Sequence, residues 1–228
     1  MKHNLLALLF ALPFSALVQA QTVEFYTPQT VRILRDNGKA AEKSLVVIST
    51  PENVKVTKTT ANGATTYKSS ALTVTVKDGK VTFTDAKGNT LMTEGETKFT
   101  PIPSGPDADA FKVKQSFSLD KDEEIYGVGL LQNGKMSQRD ENRRMEQSNL
   151  EDFAHFYQSI KGYGIYWDNY SPTRLTTPKA GEAGEVVLES EVGRKSDYYF
   201  IFGKDADGVI REMRHLTGKA PMLPLWTY

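Results

Sequence analysis

The chain has 228 residues and carries 28 lysines and arginines against 28 aspartates and glutamates, so its formal net charge at pH 7 is zero. This balance gives no electrostatic basis for binding nucleic acid or an anionic membrane surface. The lack of cysteine excludes disulfides and cysteine-based metal sites.

Residues 1–20 have the pattern of a secretory signal peptide. Lys2 precedes an apolar run that ends in Val18-Gln19-Ala20, and cleavage is predicted after Ala20. Pro13 interrupts the run, whereas a membrane-spanning helix needs about twenty apolar residues. We therefore expect an exported protein, periplasmic or extracellular, without a membrane span; an uncleaved anchor is the alternative.

The rest of the chain is rich in strand patterns. Short β-branched and aromatic runs are separated by turn signals such as Asn62-Gly63 and Asp78-Gly79, spaced every eight to ten residues in the segment 71–93. This spacing is typical of a β-sandwich rather than of βαβ units. The predicted strands are Thr22–Thr27, Val31–Arg35, Leu45–Ser49, Asn53–Thr60, Ala71–Lys77, Lys80–Asp85, Thr90–Thr93, Ala110–Leu119 with a bulge near Gln115, Ile125–Val128, Tyr163–Trp167, Val186–Val192 and a central Tyr198–Phe202.

One helix is predicted near the C-terminus. Asp205 or Asp207 is suited to cap its start, apolar residues recur at helical spacing up to Leu216, and Gly218 ends it. Met213 and Leu216 are expected to belong to the core.

The stretch from Glu124 to Pro172 is the most distinctive part of the chain. Its two apolar-aromatic strands flank the residues 132–152, which we call the polar segment. A connection of this length is usually functional or disordered. In the second strand, Ile165 and Trp167 share one face and Tyr166 lies on the other. Core packing is expected for Tyr163, Ile165 and Trp167, and stacking of Tyr163, Tyr166, Trp167 or Tyr170 on a sugar ring is the alternative.

The residues alone offer little catalytic machinery. His155 and His215 have no partner at metal-ligand spacing, and neither a nucleophile elbow nor a phosphate-binding loop is present. Adjacent carboxylates such as Glu123-Glu124 would point to opposite faces of a strand, so adjacency does not make a catalytic pair. No metal or cofactor is expected.

A family resemblance rests on the motifs YGVG at 126–129, the polar segment with Asn149, FYQS at 156–159 and KGYGIYWDN at 161–169. In this order they resemble glycoside hydrolase family 31, which contains α-xylosidases and α-glucosidases. Leu130, Met145–Asn149 and His155 depart from its pattern. The resemblance implies an all-β sandwich of the galactose-mutarotase-like type with one C-terminal α-helix, at 21–218, followed by the start of a linker, at 219–228, to a catalytic barrel.

The resemblance also implies a function. The chain is expected to be the non-catalytic N-terminal domain of an exported retaining hydrolase acting on α-linked xylose or glucose oligosaccharides, with both catalytic aspartates in the barrel beyond Tyr228. The polar segment would reach the barrel mouth and touch the sugar through Asn149 and Asp152, followed by Arg139, Asp140 and Arg144. A solvated loop making local turns is the alternative for these residues, and a free-standing carbohydrate-binding or adhesive module is the alternative for the whole chain.

Overall fold

The computed structural model describes residues 21–36 and 43–227. The predicted signal peptide lies outside these residues. In chain order the elements are β1 (Gln21–Thr27), β2 (Thr30–Asp36), β3 (Thr57–Ala61), β4 (Ala64–Lys68), β5 (Leu72–Lys77), β6 (Lys80–Asp85), β7 (Thr90–Pro101), β8 (Phe111–Leu119), β9 (Ile125–Leu130), β10 (Asn142–Met145), β11 (Asp152–Ser159), β12 (Tyr163–Trp167), β13 (Thr173–Thr176), β14 (Gly184–Gly193), β15 (Lys195–Phe202), α1 (Ala206–Thr217) and a 3₁₀ turn (Leu225–Thr227).

The strands form two antiparallel sheets. Sheet 1 has the order β1-β2-β15-β12-β11-β9, and sheet 2 has the order β10-β13-β14-β8-β7-β6-β5-β4-β3. The predicted all-β sandwich with one C-terminal helix is confirmed, and β15 is central in sheet 1, as expected. None of the helices in the described ranges is long and apolar enough to cross a membrane.

The main core lies between the sheets and is rich in aromatic rings. Phe200 of sheet 1 stacks on Phe83 of sheet 2 with ring centroids 3.9 Å apart, and Tyr163 lies 5.2 Å from Phe200 on the same side. Ile165 and Trp167 are fully buried in this core. Their predicted shared face is confirmed, because a strand alternates its side chains between two faces.

A buried ion pair also joins the two sheets. Arg35 of β2 donates to Glu94 of β7 through both terminal nitrogens, at 2.8 and 2.6 Å. The same carboxylate accepts hydrogen bonds from the hydroxyl of Tyr198 and the backbone N–H of Val81. Since every one of these groups is inside the protein, the carboxylate is satisfied only by this particular set of donors.

Helix α1 packs on the outer face of sheet 1. The side chain of Asp205 accepts from the N–H of Gly208 at 2.7 Å and caps the start of the helix; Gly218 ends it at φ +85°, as predicted. Val209 and Leu216 pack against the outward-facing Tyr166 and its neighbours in a second apolar cluster. Met213 packs at the edge of this cluster, which confirms its predicted core role.

The predicted strand at Leu45–Ser49 is wrong. Only Val47 is buried there, while Leu45 and Ile48 are 80% and 69% exposed. The backbone N–H groups of Ile48 and Ser49 both donate to the carbonyl of Leu216 at the end of α1. The run therefore satisfies a helix terminus instead of joining a sheet, a use that an apolar run does not reveal in the sequence.

Other element boundaries differ from the prediction. Strand β3 begins at Thr57 rather than Asn53, and the short strands β10 and β13 were not predicted. The bulge expected in β8 lies in its partner β7, where two residues oppose Ser116 of β8. Gly95 occupies this bulge because a side chain there would collide with the hydroxyl of Ser116.

Candidate functional site

The polar segment leaves sheet 1 from its edge strand β9 and rejoins it at the neighbouring strand β11. Strands β9 and β11 pair antiparallel on either side of it, from Asp152 opposite Leu130 to Ser159 opposite Ile125. Gly129 has φ +122°, and a Cβ atom added to it would lie 2.0 Å from the carbonyl oxygen of Asp152. Glycine is thus required for the close approach that brings the two ends of the segment together.

Between these ends the segment crosses to sheet 2. Strand β10 pairs with β13 from Asn142 opposite Thr176 to Met145 opposite Thr173, and so forms one edge of that sheet. The backbone N–H of Gln138 meanwhile donates to the carbonyl of Ile125 in sheet 1. The segment therefore links the edges of both sheets and is not a free loop.

Arg139 anchors the segment from inside the protein. It is 2% exposed, and its donors are directed at backbone carbonyls of two other connections. Its Nε donates to Glu123 at 2.9 Å, one terminal nitrogen donates to Glu182 at 2.7 Å, and the other bonds the carbonyl of Asp120. This geometry makes Arg139 a cross-link between three chain segments and keeps it away from solvent.

A group of ion pairs holds the middle of the segment. Lys135 lies 2.6 Å from Glu141, and Arg143 lies 2.7 Å from Glu151 and 3.4 Å from Glu141. Glu141 is buried and bridges the two cations. The sequence analysis missed these roles, although the alternation of charge signs along the segment is a signal of internal pairing.

A buried carboxylate lies beneath the start of the segment. Glu123 is 2% exposed and accepts hydrogen bonds from Tyr163 at 2.6 Å and from Ser159, while Lys161 lies 2.8 Å away. Burial raises the pKa of Tyr163 well above its usual value, so its hydroxyl remains a donor at physiological pH. Glu123 is thus fixed by its neighbours and is not presented to solvent.

The five predicted site residues fall into distinct environments. Asn149 and Asp152 are exposed at the tip and at the return of the segment, with the turn between them closed by the N–H of Ser148 bonding to the carbonyl of Glu151. Asp140 is exposed and has φ +57°. Arg144 is exposed and pairs with Glu191 at 2.6 Å. Asn149, Asp152 and Asp140 are therefore accessible to solvent. Arg144 is held in an ion pair, and Arg139 is buried.

The described residues contain no group of three or more histidine, aspartate or glutamate side chains that could hold a metal ion. Among the adjacent carboxylates, Glu124 accepts a hydrogen bond from Ser137 and Glu151 is held by Arg143. Glu123 and Glu141 are buried in the contacts described above. These four carboxylates therefore have fixed partners and act as structural groups.

His155, which replaces a proline of the resembled motif, is held by the backbone that follows β12. Its Nδ1 lies 2.7 Å from the carbonyl oxygen of Asn169, so Nδ1 carries the proton. Burial lowers the pKa of His155 from its usual 6.5, and the bond to Asn169 offsets only part of this effect. The ring is therefore neutral at pH 7.

We expect the ring of His155 to titrate below pH 6.5 when its proton signals are followed by NMR. Since the unfolded chain takes up this proton at a higher pH than the folded chain does, the contribution of His155 to stability is present above pH 6.5 and is lost as the pH falls. A titration midpoint at or above 6.5 would contradict the buried, neutral ring.

The fold and the anchored segment define a two-sheet β-sandwich domain with an elaborated strand connection. Residues 20–175 match the family model of the glycosyl hydrolase 31 N-terminal galactose mutarotase-like domain. This match covers most of the chain, and the chain belongs to this family. The predicted galactose-mutarotase-like type of sandwich is thereby confirmed.

Individual relatives agree with this assignment. The chain is 30% identical over 218 residues to an α-xylosidase of Saccharolobus solfataricus, a match that covers 90% of this chain and 29% of the relative. An α-xylosidase structure from Xanthomonas citri superposes with a TM-score of 0.83 at 17% identity, over 94% of this chain and 40% of that one. A dextranase structure from Flavobacterium johnsoniae gives a TM-score of 0.75 at 22% identity, over 90% and 26%.

The chain therefore spans less than a third of the curated relative and less than half of either structure. One of these structures is of an α-xylosidase and the other of a dextranase, so the shared fold alone does not set the substrate.

Proposed function

We propose that the chain is the non-catalytic N-terminal domain of an exported retaining α-glycosidase that hydrolyses α-linked xylose or glucose oligosaccharides. The observation that carries the proposal is the family match at 20–175, together with the small fraction of the α-xylosidase relative that the chain spans. The catalytic aspartates belong to a (β/α)₈ barrel beyond Tyr228, and the chemistry passes through a covalent glycosyl-enzyme without a metal or organic cofactor.

Residues 1–20 act as the signal for export to the periplasm or beyond, residues 21–218 form the sandwich, and residues 219–228 begin the linker to the barrel. The apolar side chains of this last stretch support an interface with another domain. Met222, Leu225 and Trp226 are 95%, 92% and 82% exposed. Exposed apolar patches of this kind mark surfaces that a partner covers.

Within this domain, the polar segment is the part that reaches the sugar. Its ion pairs and its ladder to β13 hold it in one arrangement, and such support is what a substrate-contacting loop requires. Asn149 and Asp152 present an amide and a carboxylate suited to sugar hydroxyls. Arg139 supports the segment from inside, Asp140 is a further exposed candidate, and Arg144 is held by Glu191.

The test uses the chain extended through its downstream reading frame. We expect Asn149→Ala and Asp152→Asn each to lower kcat/KM about tenfold through the loss of a hydrogen bond to the substrate. Asp78→Asn, in the exposed turn between β5 and β6, is the matched control and should leave kcat/KM unchanged. Unchanged kcat/KM in both segment variants would show that the polar segment does not contact the substrate.

The downstream frame also separates the two proposed functions. A frame that continues into the alternating strands and helices of a barrel supports the glycosidase domain. A stop codon directly after Tyr228 would instead favour a free-standing carbohydrate-binding module.

A further inference from the structure

A groove of about 560 Å³ opens where β11 and β12 separate, next to the base of the polar segment. The two strands pair from Phe156 opposite Tyr166 to Ser159 opposite Tyr163. The part of β11 before Phe156 therefore separates from the chain that follows Tyr166. The volume lies within the range of about 300–1,000 Å³ that small-molecule sites occupy. None of the five residues predicted to contact substrate lines this groove.

The walls of the groove are aromatic. Phe153 and Phe156 of β11 are half-buried, Tyr166 of β12 is buried with an edge at the groove, and Tyr170 is 50% exposed. The hydroxyl of Tyr170 accepts from the N–H of Leu45 at 2.6 Å, which fixes the orientation of its ring. A fixed, half-exposed ring offers a flat apolar surface at low conformational cost.

The polar groups of the groove include both acceptors and donors, since the side-chain amides of Gln147 and Asn169 each carry an N–H beyond the one they already use. His155 donates through Nδ1 to Asn169, so Nε2 of the neutral ring is an acceptor without a partner in the described ranges. The hydroxyl of Tyr166 donates to Asp168 at 3.4 Å, so its oxygen retains lone pairs that can accept. Glu146 adds an exposed carboxylate at the rim, where it is paired with Arg144.

A buried carboxylate behind the groove lacks a full set of partners. Asp168 is 2% exposed, and no described residue donates to its Oδ2 atom. Tyr166, which it orients, is part of the groove wall. Buried carboxylate oxygens without donors are uncommon, and since Asp168 does not line the groove itself, it acts on the groove through Tyr166.

From aromatic walls and polar groups that both accept and donate hydrogen bonds, we propose that this groove is a second saccharide site that binds a single pyranose ring. A pyranose has an apolar C–H face to pack on Tyr170, and its hydroxyls both donate, as His155 requires, and accept, as the amides of Gln147 and Asn169 require. The site retains oligosaccharide on the domain, away from the reacting centre. This second site goes beyond the proposed function. Because sugar binding is measured without hydrolysis, either proposal can fail while the other holds.

The experiment titrates the purified chain with methyl α-D-xylopyranoside and with methyl α-D-glucopyranoside, following backbone amide signals by NMR. We expect saturable shifts at residues 154–156 and 169–171 and none at residues 82–84. Tyr170→Ala should weaken binding about five- to tenfold through loss of the stacking surface. Tyr67→Ala, a half-buried tyrosine of sheet 2, is the matched control and should bind as the unmodified chain does.

Tyr166→Phe keeps the ring and removes one acceptor, so it provides a second variant if Tyr170→Ala does not fold, and it should also weaken binding. The proposal is overturned by a lack of saturable shifts with both sugars, or by groove shifts that survive both tyrosine changes. Tighter binding of tetramethylammonium than of either sugar would also overturn it, since aromatic rings with acceptors suit cations too.

Discussion

Replacing Arg35 by methionine is expected to lower the free energy of unfolding by about 3–5 kcal/mol, because it leaves the carboxylate of Glu94 buried without its counter-charge. The side chain of Glu94 is 1% exposed, and that of Arg35 is 6% exposed. Water therefore cannot replace the lost donors. Denaturant unfolding monitored by fluorescence measures the change.

Two variants make this result specific. Adding Glu94→Gln to Arg35→Met removes the unpaired charge and should recover a large part of the loss, since replacing both members of a buried pair is much less damaging than replacing one. Arg144→Met breaks an exposed pair with Glu191 and should change the stability little. If Arg35→Met were as stable as Arg144→Met, the ion pair would not join the sheets as described.

Replacing Arg139 by methionine is expected to lower the free energy of unfolding by about 2 kcal/mol or more, since a buried carbonyl left without a donor costs about 1–3 kcal/mol. The carbonyls of Glu123 and Glu182 lose their donor together, while that of Asp120 keeps the N–H of Glu123. Hydrogen exchange should show faster exchange throughout residues 131–147, while the strands around Phe200 retain their protection.

Arg211→Met is the matched control for this experiment, because Arg211 is exposed on α1. It should alter neither stability nor exchange in the polar segment. Faster exchange spread evenly over the whole domain in Arg139→Met, or none at all, would contradict the role of Arg139 as the local anchor of the segment.

Elements with a clear alternation or a strong turn signal were predictable from the sequence. The bounds of β12, Tyr163–Trp167, agree with the prediction because its two faces meet two different apolar clusters. The Asn62-Gly63 turn is confirmed, with φ angles of +51° and +73° that these residue types tolerate. In both cases the information lies within a few neighbouring residues.

Elements defined by distant partners were not predictable. Strand β10 has the sequence Asn-Arg-Arg-Met and no hydrophobic alternation, so only its ladder to β13 identifies it as a strand. The burial of Arg139 depends on carbonyls 16 to 43 residues away in the chain. An arginine in a polar stretch is usually exposed, and nothing nearby in the sequence indicates otherwise.

For the candidate site, the sequence identified the polar segment but not its internal organisation. Asn149 and Asp152 are exposed, and their contact with sugar stays a prediction. The anchoring roles of Lys135, Glu141 and Arg143 depend on which charges meet in space, and adjacency in the sequence does not determine that.

The central claim is that this domain supports a glycosidase whose reacting carboxylates lie in another domain. The most direct test measures hydrolysis of p-nitrophenyl α-xyloside and p-nitrophenyl α-glucoside by the chain ending at Tyr228 and by the chain extended through the downstream frame. Hydrolysis by the extended chain alone is the predicted result, and the faster substrate identifies the preferred sugar. Hydrolysis by the shorter chain would contradict the claim and place the catalytic carboxylates within the sandwich.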